Sequence, residues 1–125
     1  MKLLLDTHVL LWWLEDQQRI SQEALSAIRD QENPVFVSAA TVWEIKIKKS
    51  IGKLTAPDDL EEVINDCRFS QLGISIRHAT ALRALPFHHR DPFDRMLIAQ
   101  ANMENMTIVT RDSDIIQYGV SHLLA

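Results

Sequence analysis

A single cysteine, Cys67, stands in the whole chain. An intrachain disulfide and a cysteine-based zinc site are therefore both excluded, and a reducing cytoplasm is the simplest home. Glycine numbers 3 and proline 4, too few for the many tight turns of an all-β sandwich or barrel. No apolar run reaches the ~18 residues of a membrane span. The opening MKLLLDTHVLLWWL has the hydrophobicity of a secretory leader, but Asp6, Thr7 and His8 interrupt it and no small-residue cleavage site follows. A basic excess is missing too. The formal net charge is −4, whereas a general nucleic-acid binder is usually basic. A nuclease tolerates such a charge if its acids are gathered at a metal site, where cations neutralise them and face the phosphate.

What is present is ordinary globular material. At 125 residues, 46% hydrophobic and 24% charged, the chain has the size and composition of one domain, 1–125, that folds without staples. Lys2 to Leu5 reads as a buried strand ending at Asp6, entered directly by a helix over 9–14. Ser21 caps a second helix, with Ile20 and Leu25 at staple spacing. Val35 to Val37 is a second strand, and a helix from about 39 to 49 closes at Gly52. Thr55-Ala-Pro57 opens a helix carrying Leu60, Val63, Ile64 and Cys67 on one face. Leu72 to Ile74 is a third strand, and Ser75 caps a helix stopped by Pro86. Asp91-Pro92 starts a helix to about Glu104, with proline at its favoured first position. Met106 to Thr110 is a fourth strand, and Val120 lies in a weak last one. Strands alternating with helices indicate an α/β fold, a central and mainly parallel sheet of four to five short strands flanked by helices.

Four acids stand out in this frame. Asp6 sits at the carboxyl end of the first strand and Asp112 just past that of the fourth, where open α/β sheets bind ligands. Glu44 and Asp94 lie in the first turns of two helices that begin at the same sheet edge. Four carboxylates converging there suit Mg²⁺ or Mn²⁺, which prefer oxygen ligands. Two such ions hold the attacking and leaving oxygens of a phosphoryl displacement. Each acid also has a plainer reading. Asp91 to Asp94 and Thr41 to Glu44 have capping-box spacing, Asp112 suits a turn or a short helix cap, and Asp6 suits the cap of the 9–14 helix. A lone acid between an apolar strand and an apolar helix is nonetheless costly unless paired or metal-bound.

The segments LLLDTHVLLWWL at 3–14, SAATVWEIKIKKSIGKL at 38–54, HHRDPFDRMLIAQA at 88–101 and TIVTRDSDI at 107–115 resemble the PIN-domain family, and more narrowly the VapC-type toxins of bacterial toxin–antitoxin pairs. The resemblance runs in order along essentially the whole chain. It implies a three-layer sandwich around the parallel sheet and an acidic pocket for Mg²⁺ or Mn²⁺. The family acids fall on Asp6, Glu44, Asp94 and Asp112, with Asp114 a further contributor. The third is matched to Asp94 rather than Asp91 because Asp94 directly precedes the MLIAQA run. Thr7 and Thr110 match polar positions beside the metals, and Ser38 either joins them or caps a helix. The implied reaction is hydrolysis of RNA phosphodiesters by water, leaving a 5′-phosphate and a 3′-hydroxyl. The implied partners are an RNA substrate, a VapB-like antitoxin and a second copy in a homodimer.

Lys46, Lys49 and Lys53 share one helix face. Lys46, Lys49 and Arg95 are read as RNA backbone contacts or as solvated surface. His88 and His89 are adjacent, a poor zinc chelate beside the i, i+4 pair of a helix. One of Trp12 and Trp13 packs inward and leaves the other for an interface, or both bury. Competing functions are a non-catalytic binding module for RNA or protein, a DNA nuclease of related fold, and a phosphatase of the haloacid-dehalogenase type. The last wants a second acid two residues after the first, where this chain has His8.

Overall fold

The computed structural model describes all 125 residues. Its five strands are β1 (Leu3–Leu5), β2 (Val35–Ser38), β3 (Ser70–Leu72), β4 (Thr107–Thr110) and β5 (His122–Leu124). Its seven helices are α1 (Thr7–Glu15), α2 (Gln22–Arg29), α3 (Ala39–Ser50), α4 (Leu60–Asp66), α5 (Ile76–Ala81), α6 (Pro92–Glu104) and α7 (Ser113–Ile116), with 3₁₀ turns at Gln17–Arg19 and Leu82–Ala84. The strands form one sheet in the order β3-β2-β1-β4-β5, every pair parallel. No helix is long and apolar enough to cross a membrane.

All three leucines of β1 are fully buried, as a central parallel strand covered on both faces requires. Side chains alternate across a strand. Leu3 and Leu5 join Val9 and Leu10 of α1, Leu25 and Ile28 of α2, Ile45 of α3 and Ile64 of α4 in one apolar cluster. Leu4 joins Leu97, Ile98 and Ala101 of α6, Ile108 of β4 and Ile115 of α7 in another. The sheet is therefore the middle of three layers. The chain steps outward from β1 through β2 to β3, crosses back, and adds β4 and β5 on the other side. This reversal opens a crevice at the carboxyl ends of β1 and β4, the place where such sheets take ligands.

Local signals fixed several boundaries. Ser21 caps α2 through Ala24 N–H, and Ile20 and Leu25 are both buried, as the staple spacing predicts. α6 begins at Pro92 under an Asp91 cap and ends at Asn105, whose φ of 55° reverses the chain. Three expectations shift. α4 starts at Leu60, not near Pro57. β3 lies two residues earlier than Leu72–Ile74, and β5 begins after Val120. Both are edge strands, and β3 buries little side chain, so hydrophobicity marks their ends poorly. Trp12 and Trp13 are both half-buried against the first cluster, and the tryptophan that stands out in solvent is Trp43, 58% exposed.

Leu4 is the only residue of β1 that reaches the α6–α7 layer. Leu4→Ala is expected to cost about 2–5 kcal/mol of stability, read as a lower urea midpoint at unchanged slope. A midpoint within error of wild type would contradict this layer assignment.

Candidate active site

Asp6 leaves β1 in extended conformation and caps α1. Its Oδ1 accepts the Val9 N–H at 2.8 Å, and its Oδ2 accepts the Thr110 hydroxyl at 2.5 Å. The helix-cap reading of Asp6 is thus correct but uses one oxygen, and the other belongs to β4. Thr110 Oγ1 in turn accepts the Asp112 N–H at 3.0 Å, so one hydroxyl ties the two strand-end acids together. Asp112 caps the short α7 through Asp114 N–H.

Glu44 sits well inside α3, because Ser38 is the N-cap and the helix starts at Ala39. The Thr41–Glu44 capping box does not form, and Thr41 Oγ1 is buried without a partner. Glu44 is 4% exposed. It accepts the Thr7 hydroxyl at 2.6 Å on Oε1 and Lys48 Nζ at 2.6 Å on Oε2. Asp91 Oδ1 accepts the N–H groups of both Phe93 and Asp94. With that cap supplied by Asp91, the Asp94 carboxylate is free to face His89, whose Nε2 lies 3.2 Å from Oδ2. His89 Nδ1 meets Tyr118 Oη at 2.8 Å.

Asp6, Glu44, Asp94 and Asp112 line one pocket of about 70 Å³ together with Thr7, His8, Lys48 and Asp91, with no apolar residue among them. It is far smaller than an apolar cavity of about 360 Å³ beside Trp43, Ile64 and Leu72, which contains none of the four acids. Of the remaining expected residues, Thr110 reaches the site through Asp6. Ser38 does not line it: its hydroxyl caps α3 and donates to Gln100 at 2.6 Å. Asp114 is exposed outside it. Lys46 and Lys49 turn to the 56–58 loop, bonding the carbonyls of Asp58 and Ala56. Arg95 is held by Pro86 O, Leu82 O and Tyr118 Oη. Two pocket residues escaped the sequence reading as such, His8 and Lys48, while Asp91, read as the cap of α6, is that cap and lines the pocket too. Lys48 was legible from its i, i+4 position after Glu44. Nothing in the sequence marked Tyr118.

The electrostatics are those of crowded like charges. Burial pushes the Asp6 carboxyl above its ordinary range, against the hydrogen bonds from Thr110 and Val9. Asp94 is pushed up to about 7, first by burial, then by the Asp91 charge, with Asp112 and Glu44 adding to it and the His89 hydrogen bond opposing. Lys48 is held above its usual value chiefly by its hydrogen bond to Glu44. Carboxylate oxygens are the donors that Mg²⁺ and Mn²⁺ take, and a divalent cation relieves the repulsion that raises Asp94. The set fits such an ion in kind. As they stand, no three carboxylate or imidazole groups enclose one. Glu44 is engaged by Lys48 and Asp94 by His89, so a cation would take over carboxylates now held by protein side chains.

A carboxyl raised in the folded state binds its proton more tightly there than when unfolded. Its stabilising effect is present at acid pH and is lost as pH rises from about 4 to about 7. In chelator, Asp94→Asn should therefore gain melting temperature relative to wild type as pH rises across that window. A difference that stays flat with pH would sink the assignment.

Comparison with known proteins gives a consistent result. The model of the PIN domain matches residues 3–120. The ribonuclease VapC22 of Mycobacterium tuberculosis is 31% identical over 117 residues, covering 87% of this chain and 85% of that protein. VapC16 of the same organism is 32% identical over 66 residues, 50% of this chain and 47% of its own length. Among solved structures, VapBC2 from Rickettsia felis bound to a promoter DNA fragment superposes with a TM-score of 0.73 at 14% identity, over 98% of both chains. A toxin–antitoxin complex from Klebsiella pneumoniae gives 0.67 at 19% identity, over 97% of this chain and 95% of that one.

Proposed function

The chain belongs to the PIN-domain family, and from that premise we propose that it is a metal-dependent endoribonuclease, the VapC-like toxin of a toxin–antitoxin pair. The observation that carries this reading is the convergence of Asp6, Glu44, Asp94 and Asp112 from four separate segments on one wholly polar pocket. The sequence similarity to ribonucleases of the VapC type supports RNA as substrate. Asp6 and Asp112 would hold Mg²⁺ or Mn²⁺ from the strand ends, and Glu44 and Asp94 from α3 and α6. Such an ion, when bound, activates water and offsets charge on the phosphate oxygens.

The chain's own residues do the rest. Thr110 and the Val9 N–H fix both oxygens of Asp6, so the carboxylate is oriented before anything binds. Thr7 does the same for one oxygen of Glu44. Asp91 aligns the first turn of α6 and adds negative charge that keeps Asp94 responsive to a cation. The protein acts in the cytoplasm as one domain. It is restrained by a VapB-like antitoxin and pairs as a homodimer. Trp43 and Ile47 on α3 and Ile51 at its carboxyl cap, all exposed, supply an apolar face for such partners.

Purified protein, free of antitoxin, should cut cellular RNA with Mg²⁺ or Mn²⁺ and not with chelator. Asp6→Asn and Asp94→Asn should each lose activity by at least about 100-fold, the scale of removing one charged group that acts in the transition state. Folded protein that cuts nothing, or variants that cut as wild type does, would give precedence to a non-catalytic binding module.

A further inference from the structure

The pocket is acidic, the chain is net negative, and an RNA strand is a polyanion. Something beside the pocket must attract the phosphates flanking the one in it. Lys46, Lys49 and Arg95 are tied to neighbouring loops, as described above. His8 offers a different route. It is the exposed residue of the pocket wall, and its ring packs on Trp12 with centroids 6.0 Å apart. Trp12 in turn carries two guanidinium groups, Arg111 at 4.2 Å and Arg19 at 5.0 Å from its ring centroid.

Both arginines are exposed, and neither pairs with a carboxylate, since every ion pair of the structure lies elsewhere. Arg111 is also pinned, donating to the backbone carbonyl of Arg19. Two like charges on one ring, neither with a carboxylate in ion-pair contact, leave their donors open to an anion from outside. Arg111 directly precedes Asp112 in sequence, so this cationic platform adjoins the carboxylate pocket. Arginine over an aromatic face is a common way to grip single-stranded nucleic acid.

We propose that His8, Trp12, Arg19 and Arg111 form the track that binds the RNA strand beside the scissile phosphate, the two guanidinium groups each taking a backbone phosphate. The inference rests on the ribonuclease reading and assigns its substrate a path across the surface. Fluorescence anisotropy of a short labelled oligouridylate tests it, with Asp94→Asn as the background so that the probe stays intact. Binding should weaken with salt. Arg19→Gln and Arg111→Gln should each flatten the plot of log Kd against log salt by about 0.7, the contribution of one phosphate contact on a single strand. Arg→Lys at either position should keep most of the slope. In the cleaving protein, the glutamine variants should raise KM several-fold and change kcat less.

Thermal melts of each variant separate lost binding from lost folding, with the lysine variants as folded references. An unchanged slope in folded glutamine variants overturns the track and leaves the nuclease reading intact, with the arginines then free to meet an acidic protein partner. If wild type cuts no RNA and the Asp94→Asn protein binds none, the nuclease reading itself fails and the track falls with it.

Discussion

A carboxylate 5% exposed to solvent at the junction of an apolar strand and an apolar helix is the constraint around which the rest of the structure is arranged. An ionised acid in such a place is unfavourable unless every oxygen is engaged. The fold meets this by putting the amino end of α1 immediately after Asp6, so that the Val9 N–H serves one oxygen. It also places β4 beside β1 in parallel, so that Thr110 serves the other. The β1–β4 pairing is the topological reversal of the sheet. The same reversal brings Asp112 to the place where Asp6 already stands, and Thr110 joins the two.

Around that anchor the acids are held by two kinds of partner. Asp6, Asp91 and Asp112 serve as helix caps, so part of their charge does structural work. Glu44 and Asp94 are placed in helix interiors or first turns and face protein cations or donors: Lys48 for Glu44, His89 for Asp94. This division matters for chemistry. A cap oxygen is held by backbone and moves little, whereas Lys48 is a flexible side chain, 38% exposed, that holds Glu44 from the solvent side. The pocket thus pairs carboxylates held by backbone on the strand side with carboxylates held by side chains on the helix side.

Much of this was legible in the sequence, and for physical reasons. The β1 leucines, the Asp91-Pro92 helix start and the acids at strand ends are local signals, each set by burial, by proline geometry or by the parallel-sheet rule. The mainly parallel α/β sheet followed from strands alternating with helices, and the three-layer sandwich from the family resemblance. The failures share a cause. Thr41 and Glu44 have capping-box spacing but lie inside a helix that the sequence already starts near 39, and with Ser38 as its cap the box has no helix end to close. Grouping Lys46 with Lys49 and Lys53 on one helix face passed over Lys48 on the face that carries Glu44; Lys46 and Lys49 bond the 56–58 loop, and Lys53 lies past the end of α3. Tyr118 was invisible because its contacts with His89 and Arg95 join residues 23 or more apart in sequence. Spacing within one helix can be read from sequence, but contacts between elements depend on packing that the sequence does not state locally.

The plainer readings of the acids therefore did not compete with the chemical one as alternatives should. Asp6 is a helix cap and a pocket acid at once, and so are Asp112 and Asp91. A helix amino terminus stabilises negative charge. Three helices that begin around one crevice lower the cost of gathering carboxylates there without any bound ion. Caps hold Asp6, Asp91 and Asp112, and Lys48 and His89 hold Glu44 and Asp94, in a pocket otherwise rich in like charge. Asp94 stands outside that arrangement: its own helix is already capped by Asp91, and burial first, then the Asp91 charge, push its carboxyl to about 7. An acid that no helix end caps, buried beside like charges, is the one whose ionised form a divalent cation would favour most.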